Sequence, residues 1–161
     1  MKGKRILGVD PGTNTTGFGI IEVVGRNYIL VEYGVIQPKS TQTLVQKYVH
    51  IFDEISLLVN RTKPDALSVE TQFVHKNVQT AIKLGMARGA IIVAAAKQGV
   101  EVFEYSPMEA KRAVTGNGRS SKPQVSHMVK LLLSLPSLPT PEDASDALSI
   151  AIAHANQRKR L

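Results

Sequence analysis

Four carboxylates stand at or beside the ends of elements predicted from the sequence, and their types and spacing point most directly to chemistry. Asp10 ends one short apolar strand and Glu70 ends a second. Asp143 and Asp146 open the last predicted helix and, being three residues apart, lie on one face of it. Two strand ends and one helix start can converge on a single point.

Carboxylates gathered at one point repel one another unless a hard cation lies between them. A two-metal site holds its ions about 4 Å apart and clamps the attacking and leaving oxygens of an in-line displacement. The chain has 20 Lys and Arg against 13 Asp and Glu, a formal net charge of +7, and such a surplus suits a polyanion. The combination predicts two Mg²⁺ ions, with Mn²⁺ able to substitute, acting on a phosphate backbone.

Each acid taken alone also has a structural explanation. Asp10-Pro11-Gly12 is a turn signal, and Glu70 could be a solvated strand end. The run Thr140-Pro141-Glu142-Asp143 matches a helix capping box, and Asp146 could be a first-turn acid favoured by the helix dipole. The four acids together favour a metal site. We interpret Glu142, which points away from the face of Asp143, as a cap or an outer acid.

The elements that must position these acids follow from the hydrophobic pattern. Short apolar runs predict five strands, over residues 5–10, 17–24, 28–36, 66–70 and 100–105, with a three-residue turn Gly25-Arg26-Asn27. Apolar periodicity and caps predict five helices, over about 41 or 43 to 63, 77–98, 107–114, 123–135 and 140 to the basic end. The order predicts an α/β fold, a mixed sheet covered by helices, in one domain over residues 1–161.

Basic and aromatic residues follow the predicted strand ends. Four basic residues surround a loop rich in glycine and hydroxyl groups: Lys111, Arg112, Arg119 and Lys122. Phosphate contact is one role for them, and a solvated helix end plus loop is the other. Phe73, three residues beyond Glu70, could wedge against a nucleobase, although such a residue is more often core. Lys76, on the same loop, is predicted to bind DNA.

Small residues recur in the second predicted helix, at Gly85, Ala87, Gly89 and Ala90. Small side chains let another backbone approach closely. Packing on the sheet is one interpretation of this pattern, and a helix–helix dimer contact is the other.

The composition excludes several classes of protein. Without cysteine, the chain has no disulfide, no thiolate metal site and no Cys nucleophile. The start of the chain leads into a short strand instead of a signal peptide. The longest apolar stretch, residues 90–96, is too short to cross a bilayer. We therefore expect a soluble cytoplasmic protein without membrane contact.

Five segments, in order, give the chain a resemblance to a known family. They are Ile6 to Gly12 with Thr16-Gly17, Val69 to Phe73, Lys83 to Gly89, Phe103 to Pro107, and Glu142 to Leu148. The Asp-Pro-Gly start alone is a weak signal, but five segments at the expected spacing are specific. The chain resembles the RuvC family of bacterial Holliday-junction endonucleases along almost its whole length.

The resemblance implies an RNase H-like fold whose five-stranded sheet is antiparallel over its first three strands and then parallel. It implies a homodimer that nicks two opposed strands of a four-way DNA junction symmetrically, in recombination and repair, leaving a 5′ phosphate and a 3′ hydroxyl. A branch-migration complex of the RuvA and RuvB type would be its partner. The family's catalytic, metal-holding acids correspond to Asp10, Glu70, Asp143 and Asp146. Its phosphate-contacting lysines correspond to Lys111 and Lys122, and its base-stacking aromatic to Phe73.

Three other interpretations stay open. The stretch from Asp10 to Gly17 also fits the start of an actin-like sugar or acetate kinase, although that class needs two such domains. A YqgF-like nuclease of the same fold, acting on RNA, is the nearer alternative. A non-catalytic nucleic-acid-binding module is the third, although a pure binder would gain from losing acids near phosphates.

Overall fold

The computed structural model describes residues 3–71 and 77–158, which form five strands and five helices. The strands are β1 (Lys4–Asp10), β2 (Thr16–Val24), β3 (Asn27–Ile36), β4 (Ala66–Glu70) and β5 (Glu101–Tyr105). The helices are α1 (Leu44–Thr62), α2 (Val78–Ala96), α3 (Pro107–Thr115), α4 (Lys122–Leu132) and α5 (Glu142–Arg158).

The five strands form one mixed sheet in the order β3-β2-β1-β4-β5. The first three strands pair antiparallel, whereas β4 joins β1 in parallel and β5 joins β4 in parallel. The predicted mixed sheet is therefore confirmed. Its central strands, β1 and β4, end at the same edge because they run in the same direction.

Most element boundaries shift by one to three residues from the sequence prediction, and two of the differences have a clear physical reason. Val24 pairs with Asn27, so the β2–β3 turn has two residues instead of three, with Gly25 at φ +60°. Such a tight turn matches the twist of the strands and needs a residue in the left-handed region. Helix α4 ends at Leu132 rather than 135, because Ser134 takes φ +51° and the chain reverses there.

Side chains cap the helices that flank the sheet. Thr43, Ser106 and Ser121 each form a capping box, with Gln46, Glu109 and Gln124 respectively. Asn77 caps α2 by accepting from the Thr80 amide. These caps satisfy amides that the first turn leaves unpaired, and they fix where α3 and α4 begin.

The sheet has a different helical layer on each face. Helices α1 and α2 cover one face, where Val9 and Val69 are fully buried in the larger core cluster. Helix α5 covers the other face and packs with α4 against residues such as Ile6 and Ile21. Because side chains alternate along a strand, Asp10 and Glu70, each one residue beyond a buried valine, point to the α5 face.

Helix α2 combines a buried face with an exposed apolar one. Within the described ranges it is the single helix that is long and apolar enough to cross a membrane by length and composition. The helix is in contact with α1, and Ala87, Ile91 and Ala94 are buried in the larger core cluster. Its exposed side, by contrast, has no partner within the described chain.

Candidate active site

Asp10 and Glu70 stand side by side at one edge of the sheet. Val9 pairs with Val69 in the parallel β1–β4 register, so the next residue of each strand emerges at the same level. Burial, followed by the hydrogen-bonding and charge effects of Glu70, raises the pKa of Asp10. The protonated form of the Asp10 carboxyl is therefore favoured.

The side of the sheet to which these acids point is the side that α5 crosses. Gly8, two residues before Asp10, lies against α5 so closely that a Cβ there would be 2.1 Å from the Ala147 carbonyl oxygen. Ser68, two residues before Glu70, donates its hydroxyl to the Ile150 carbonyl at 3.2 Å. Both strands therefore hold α5 just before they present their acids.

The first turn of α5 rests on the strand beside Asp10. Gly17 is the antiparallel partner of Asp10, and a Cβ on Gly17 would lie only 2.0 Å from the Asp143 carbonyl oxygen. Asp146 follows one turn later on the same helix face. The structure thus brings the two strand ends and the helix start together, as the sequence predicts.

Asp143 does not serve as a helix cap. Helix α5 begins at Glu142, and the Pro141 carbonyl accepts from the Ala144 amide at 3.0 Å. Asp143 is therefore the second residue of the helix, not the third, and the capping box considered for Thr140 and Asp143 is wrong. Its carboxylate stays available for another role.

The acids perturb one another electrostatically. Burial, the hydrogen bond to Glu70 and its charge, and then the charges of Asp146 and Asp143 raise the pKa of Asp10 far above its usual range. Burial also raises the pKa of Asp146, with a contribution from Glu70 and opposition from Lys122. Such mutual shifts occur where carboxyl groups crowd a poorly solvated site, and they favour a function for the cluster.

Lys122 forms ion pairs with two acids at the start of α5. Its Nζ lies 3.4 Å from Asp146 Oδ2 and 3.4 Å from Glu142 Oε2, which links the start of α4 to the start of α5. Burial works against its charge, but the pKa of Lys122 is raised overall by Asp146 and Glu142. Glu142 is accordingly an ion-pair partner of this lysine.

The side chains as they lie do not form a finished metal site. Among the described residues, no group of three or more His, Cys, Asp or Glu could hold an ion. Asp146 is instead paired with Lys122, whose Nζ lies 3.4 Å from Asp146 Oδ2. The donor set fits a hard cation all the same, because it is all oxygen. The role of the four acids as ligands stays a prediction.

The other basic residues lie at different places around α3. Lys111 is half-buried, whereas Arg112, the next residue, is exposed. Arg112 lines a separate cavity of about 380 Å³ with Asn156 and Gln157, near the C-terminal end of α5. Lys122 is therefore the predicted basic residue that contacts the acids directly, and DNA contact by Arg112 stays a prediction.

The glycine-rich loop between α3 and α4 is held by its own hydrogen bonds. Thr115 Oγ1 lies 2.6 Å from Ser120 Oγ, and the Arg119 amide donates to Asn117 Oδ1 at 2.9 Å. The Arg119 side chain is exposed on this loop. An ordered loop can present this charge to a phosphate at little cost in conformational entropy.

Phe73 and Lys76 lie outside the described residues. The chain on either side of them is fixed: the Thr71 amide donates to the Tyr105 carbonyl at 2.8 Å, and Asn77 caps α2. The predicted contacts of Phe73 and Lys76 with DNA stay predictions.

Sequence reasoning missed two features of the site. The first is Gly17, whose contact with Asp143 joins residues far apart in the chain. Its only signal was its place in the Thr16-Gly17 motif. The second is the pairing of Glu142 with Lys122, since the helix pattern indicated only that Glu142 points away from the other acids.

Comparison with known proteins identifies relatives of the whole chain. The family described as crossover junction endodeoxyribonuclease RuvC matches residues 6–154. A protein of that name from Protochlamydia amoebophila is 53% identical over 150 residues, which cover 93% of this chain and 89% of the relative. Another, from Brevibacillus brevis, is 46% identical over 96% of this chain and 93% of the relative.

Solved structures give the same result for the fold. The structure described as T. thermophilus RuvC in complex with Holliday junction substrate is 33% identical, with a TM-score of 0.93 over 98% of this chain and 96% of that one. The yeast mitochondrial Holliday junction resolvase Ydc2, at 14% identity and a TM-score of 0.67, shares the fold. The predicted RNase H-like fold, with its five-stranded mixed sheet, is confirmed.

Proposed function

This chain belongs to the RuvC family of crossover junction endodeoxyribonucleases, and we propose that it resolves four-way (Holliday) DNA junctions in recombination and repair. The observation that carries the proposal is the meeting of Asp10, Glu70 and the start of α5 at one edge of the sheet. A relative of the same family is solved with a Holliday junction substrate, which supports the same class of DNA for this chain.

The proposed reaction is hydrolysis of a phosphodiester that leaves a 5′ phosphate and a 3′ hydroxyl. Asp10, Glu70, Asp143 and Asp146 would hold two Mg²⁺ ions, or Mn²⁺ in their place. When bound, such ions supply activation of the attacking water and stabilisation of charge at the leaving 3′ oxygen. Two of these acids are held by a rigid element, since Asp10 and Glu70 end neighbouring central strands of the sheet.

The side chains of Lys122 and Asp146 would have to rearrange when metal binds. Their ion pair must loosen if Asp146 is to turn toward Asp10. The ammonium of Lys122 then stays beside Glu142, 3.4 Å away in the present arrangement, and faces the scissile phosphate. A fixed cation at this position stabilises charge that develops on phosphate oxygens, and Lys111 on α3 would add to it.

Contacts outside the acidic cluster would hold the junction arms. The net charge of +7 favours a polyanion at any sequence, and the predicted phosphate contacts of Lys76, Arg112 and Arg119 position the backbone without reading bases. Phe73 would stack on an unpaired base, which is accessible where strands exchange. Because four-way junctions are branched, this stacking would add selectivity over linear duplex.

The apolar face of α2 supports a homodimer. A stripe of exposed residues runs along the helix and includes the half-buried Gly89: Val78, Ile82, Gly85, Met86, Gly89 and Val93. A Cβ on Gly85 or Gly89 would meet nothing within 4 Å, so this side has room for a second backbone. Lys83 and Arg88 lie in mid-helix and would be costly in hydrocarbon, which favours a protein interface over a membrane.

A two-fold dimer would carry two identical sites, as symmetric nicking of a junction requires. We also propose a cytoplasmic location and a branch-migration complex of the RuvA and RuvB type as partner. Both follow from the proposed substrate, which forms where chromosomal strands exchange.

A nicking assay on a synthetic mobile four-way junction in Mg²⁺ tests the proposal. We expect paired nicks in opposed strands, with 5′-phosphate ends that a ligase reseals. Linear duplex of the same sequence serves as the control and should stay intact. A structured RNA is the third substrate, because preferential cutting of RNA would instead indicate a YqgF-like nuclease. No cutting of the junction, with Mg²⁺ and with Mn²⁺, would refute the proposal.

A further inference from the structure

Helix α5 brings parts of its backbone directly against the glycines of the sheet. Its first half carries Ala144 and Ala147, both fully buried, and the strands beneath it present Gly8, Gly17 and Gly19. A Cβ on Gly19 would first meet the side chain of Leu148. The three heavy atoms nearest to a Cβ on Gly17 would all be main chain, the first two being Asp143 O at 2.0 Å and Asp143 C at 2.4 Å.

The contact at Gly17 joins two of the proposed ligands. Gly17 pairs with Asp10 across the β1–β2 ladder, and Asp143 sits on top of it. Paired residues on neighbouring strands have Cα atoms about 4.5–5.5 Å apart. One residue without a side chain therefore spaces Asp10 from the helix turn that carries the other two aspartates.

We infer that Gly17 is a positioning residue for the proposed reaction: the absence of its side chain sets the separation between Asp10 and the acids of α5. The inference rests on the proposed function. It assigns to Gly17 no contact with substrate or metal, only control of where Asp143 and Asp146 stand.

A methyl group at this position would move the helix and not the strand. Gly17 is held on both sides, by Asp10 of β1 and by Val35 of β3. Real Cβ atoms essentially never come within 3.0 Å of another heavy atom of this kind, so relief of the 2.0 Å contact needs a shift of at least 1 Å. The first turn of α5 is free to take this shift, because irregular chain precedes it.

The rest of α5 would stay in place. Ile150 accepts from Ser68 at 3.2 Å, and His154 Nδ1 lies 2.8 Å from the Tyr105 hydroxyl. With its middle and end held by these bonds, the helix would tilt so that its N-terminal turn moves away from Asp10. The displacement would then fall on Asp143 and Asp146.

The test begins with Gly17→Ala. A misplacement of about 1 Å in a catalytic constellation costs roughly 100-fold in rate, so kcat for junction cutting should fall by about that factor while junction affinity is unchanged. The rise in melting temperature on adding Mg²⁺ should shrink in parallel. Gly34→Ala is the matched control, because its Cβ would meet the ring of Phe18 at 3.1 Å, away from the acids; it should keep both readouts.

A second variant separates positioning from simple damage to the fold. Asp143→Glu carries the same charge on a side chain one methylene longer. In the native background this substitution should slow cutting, whereas in the Gly17→Ala background it should restore part of the lost rate. Partial rescue in the double variant is expected if Gly17 and Asp143 together set one distance in the site. If the two residues act independently, the losses in cutting rate should add.

Each result decides one question. Normal cutting by Gly17→Ala, additive losses in the double variant, or failure of both Gly17→Ala chains to fold would overturn the positioning role. These outcomes are distinct from failure of the proposed function, which would show as normal cutting by Asp10→Asn or as no cutting by the native chain.

Discussion

Lys122 and Asp146 face each other across the gap between α4 and α5, with Nζ 3.4 Å from Oδ2. The same ammonium is 3.4 Å from Glu142, so one lysine balances two acids of the last helix. On the sheet, burial and the neighbouring Glu70 raise the pKa of Asp10, which favours its neutral, protonated form. The cluster therefore has two halves that are neutralised in different ways, and a divalent ion would have to replace both arrangements.

Asp10→Asn separates binding from catalysis. The amide keeps the shape of Asp10 and donates a hydrogen bond to Glu70, but it supplies no negative charge to a metal. We expect junction affinity to be retained and cutting to fall by more than the roughly 10–100-fold typical of lost outer-shell partners of a metal. A gel-shift and a nicking assay on one junction measure both. Asp53→Asn, at an exposed site on α1, is the charge-matched control; full cutting by Asp10→Asn would rule out the assignment.

The stability of the metal-free protein should fall as pH rises. The pKa of Asp10 and that of Asp146 are raised by folding, so above pH 3.8, the usual Asp value, the folded state binds more protons than the unfolded state. Stability then decreases with pH until the folded-state pKa values are passed. Melting curves in EDTA from pH 5 upward measure the effect. Asp10→Asn should flatten the slope, and an equal slope in both proteins would contradict this origin.

Magnesium should reverse that loss. An ion that binds only the folded state stabilises it by about 2.7 kcal/mol at a concentration 100 times its Kd. We expect the melting temperature of the native chain to rise with Mg²⁺, more steeply at pH 8 than at pH 6, because protons compete for the same carboxylates. The Asp10→Asn and Asp146→Asn variants should respond weakly. A rise of the same size in all three proteins would indicate binding elsewhere.

Lys122→Met should separate metal affinity from rate. Removal of the ammonium frees Asp146 and Glu142, so the site should bind Mg²⁺ more tightly in a calorimetric or melting titration. Cutting should nevertheless slow, because a cation near the developing phosphate charge is lost. Lys130→Met, on the same helix and away from the acids, should change neither quantity. Weaker Mg²⁺ binding by Lys122→Met would overturn this view of the ion pair.

The parts of the site that local sequence encodes could be predicted. The strand that carries Glu70 was predicted over residues 66–70 and is found as Ala66–Glu70, because a short apolar run between turn signals has few other solutions. The convergence of Asp10 with Glu70 followed from parallel strand ends. Their electrostatic coupling also followed, since close carboxyl groups must interact.

The parts of the site that depend on tertiary packing could not be predicted from the sequence. The approach of Asp143 to Gly17 and of Glu142 to Lys122 joins helices to residues distant in sequence, and hydrophobic periodicity contains no such distances. The capping box at Thr140 failed for a local reason, because the Pro141 carbonyl takes the first helical hydrogen bond. The small residues of α2 divided between both interpretations: Ala87 is fully buried in the core, whereas Gly85 and Gly89 border open space.

The exposed apolar stripe of α2 allows a prediction about dimerisation. A charged residue in the apolar stripe of α2 should prevent dimerisation, because an unpaired charge at the centre of an interface is costly to desolvate. We expect Ile82→Glu, at a position 57% exposed in the single chain, to be monomeric by light scattering at micromolar concentration, where the native chain is dimeric. Val45→Glu on α1 is the matched control, since Val45 is 69% exposed and lies outside the stripe.

The Ile82→Glu monomer should keep its fold and its Mg²⁺ response. It should nevertheless lose paired nicking, since each chain holds a complete set of acids but only a dimer can cut two strands at once. A dimeric Ile82→Glu protein, or a monomeric native one both free and on junction DNA, would contradict the assignment of this face.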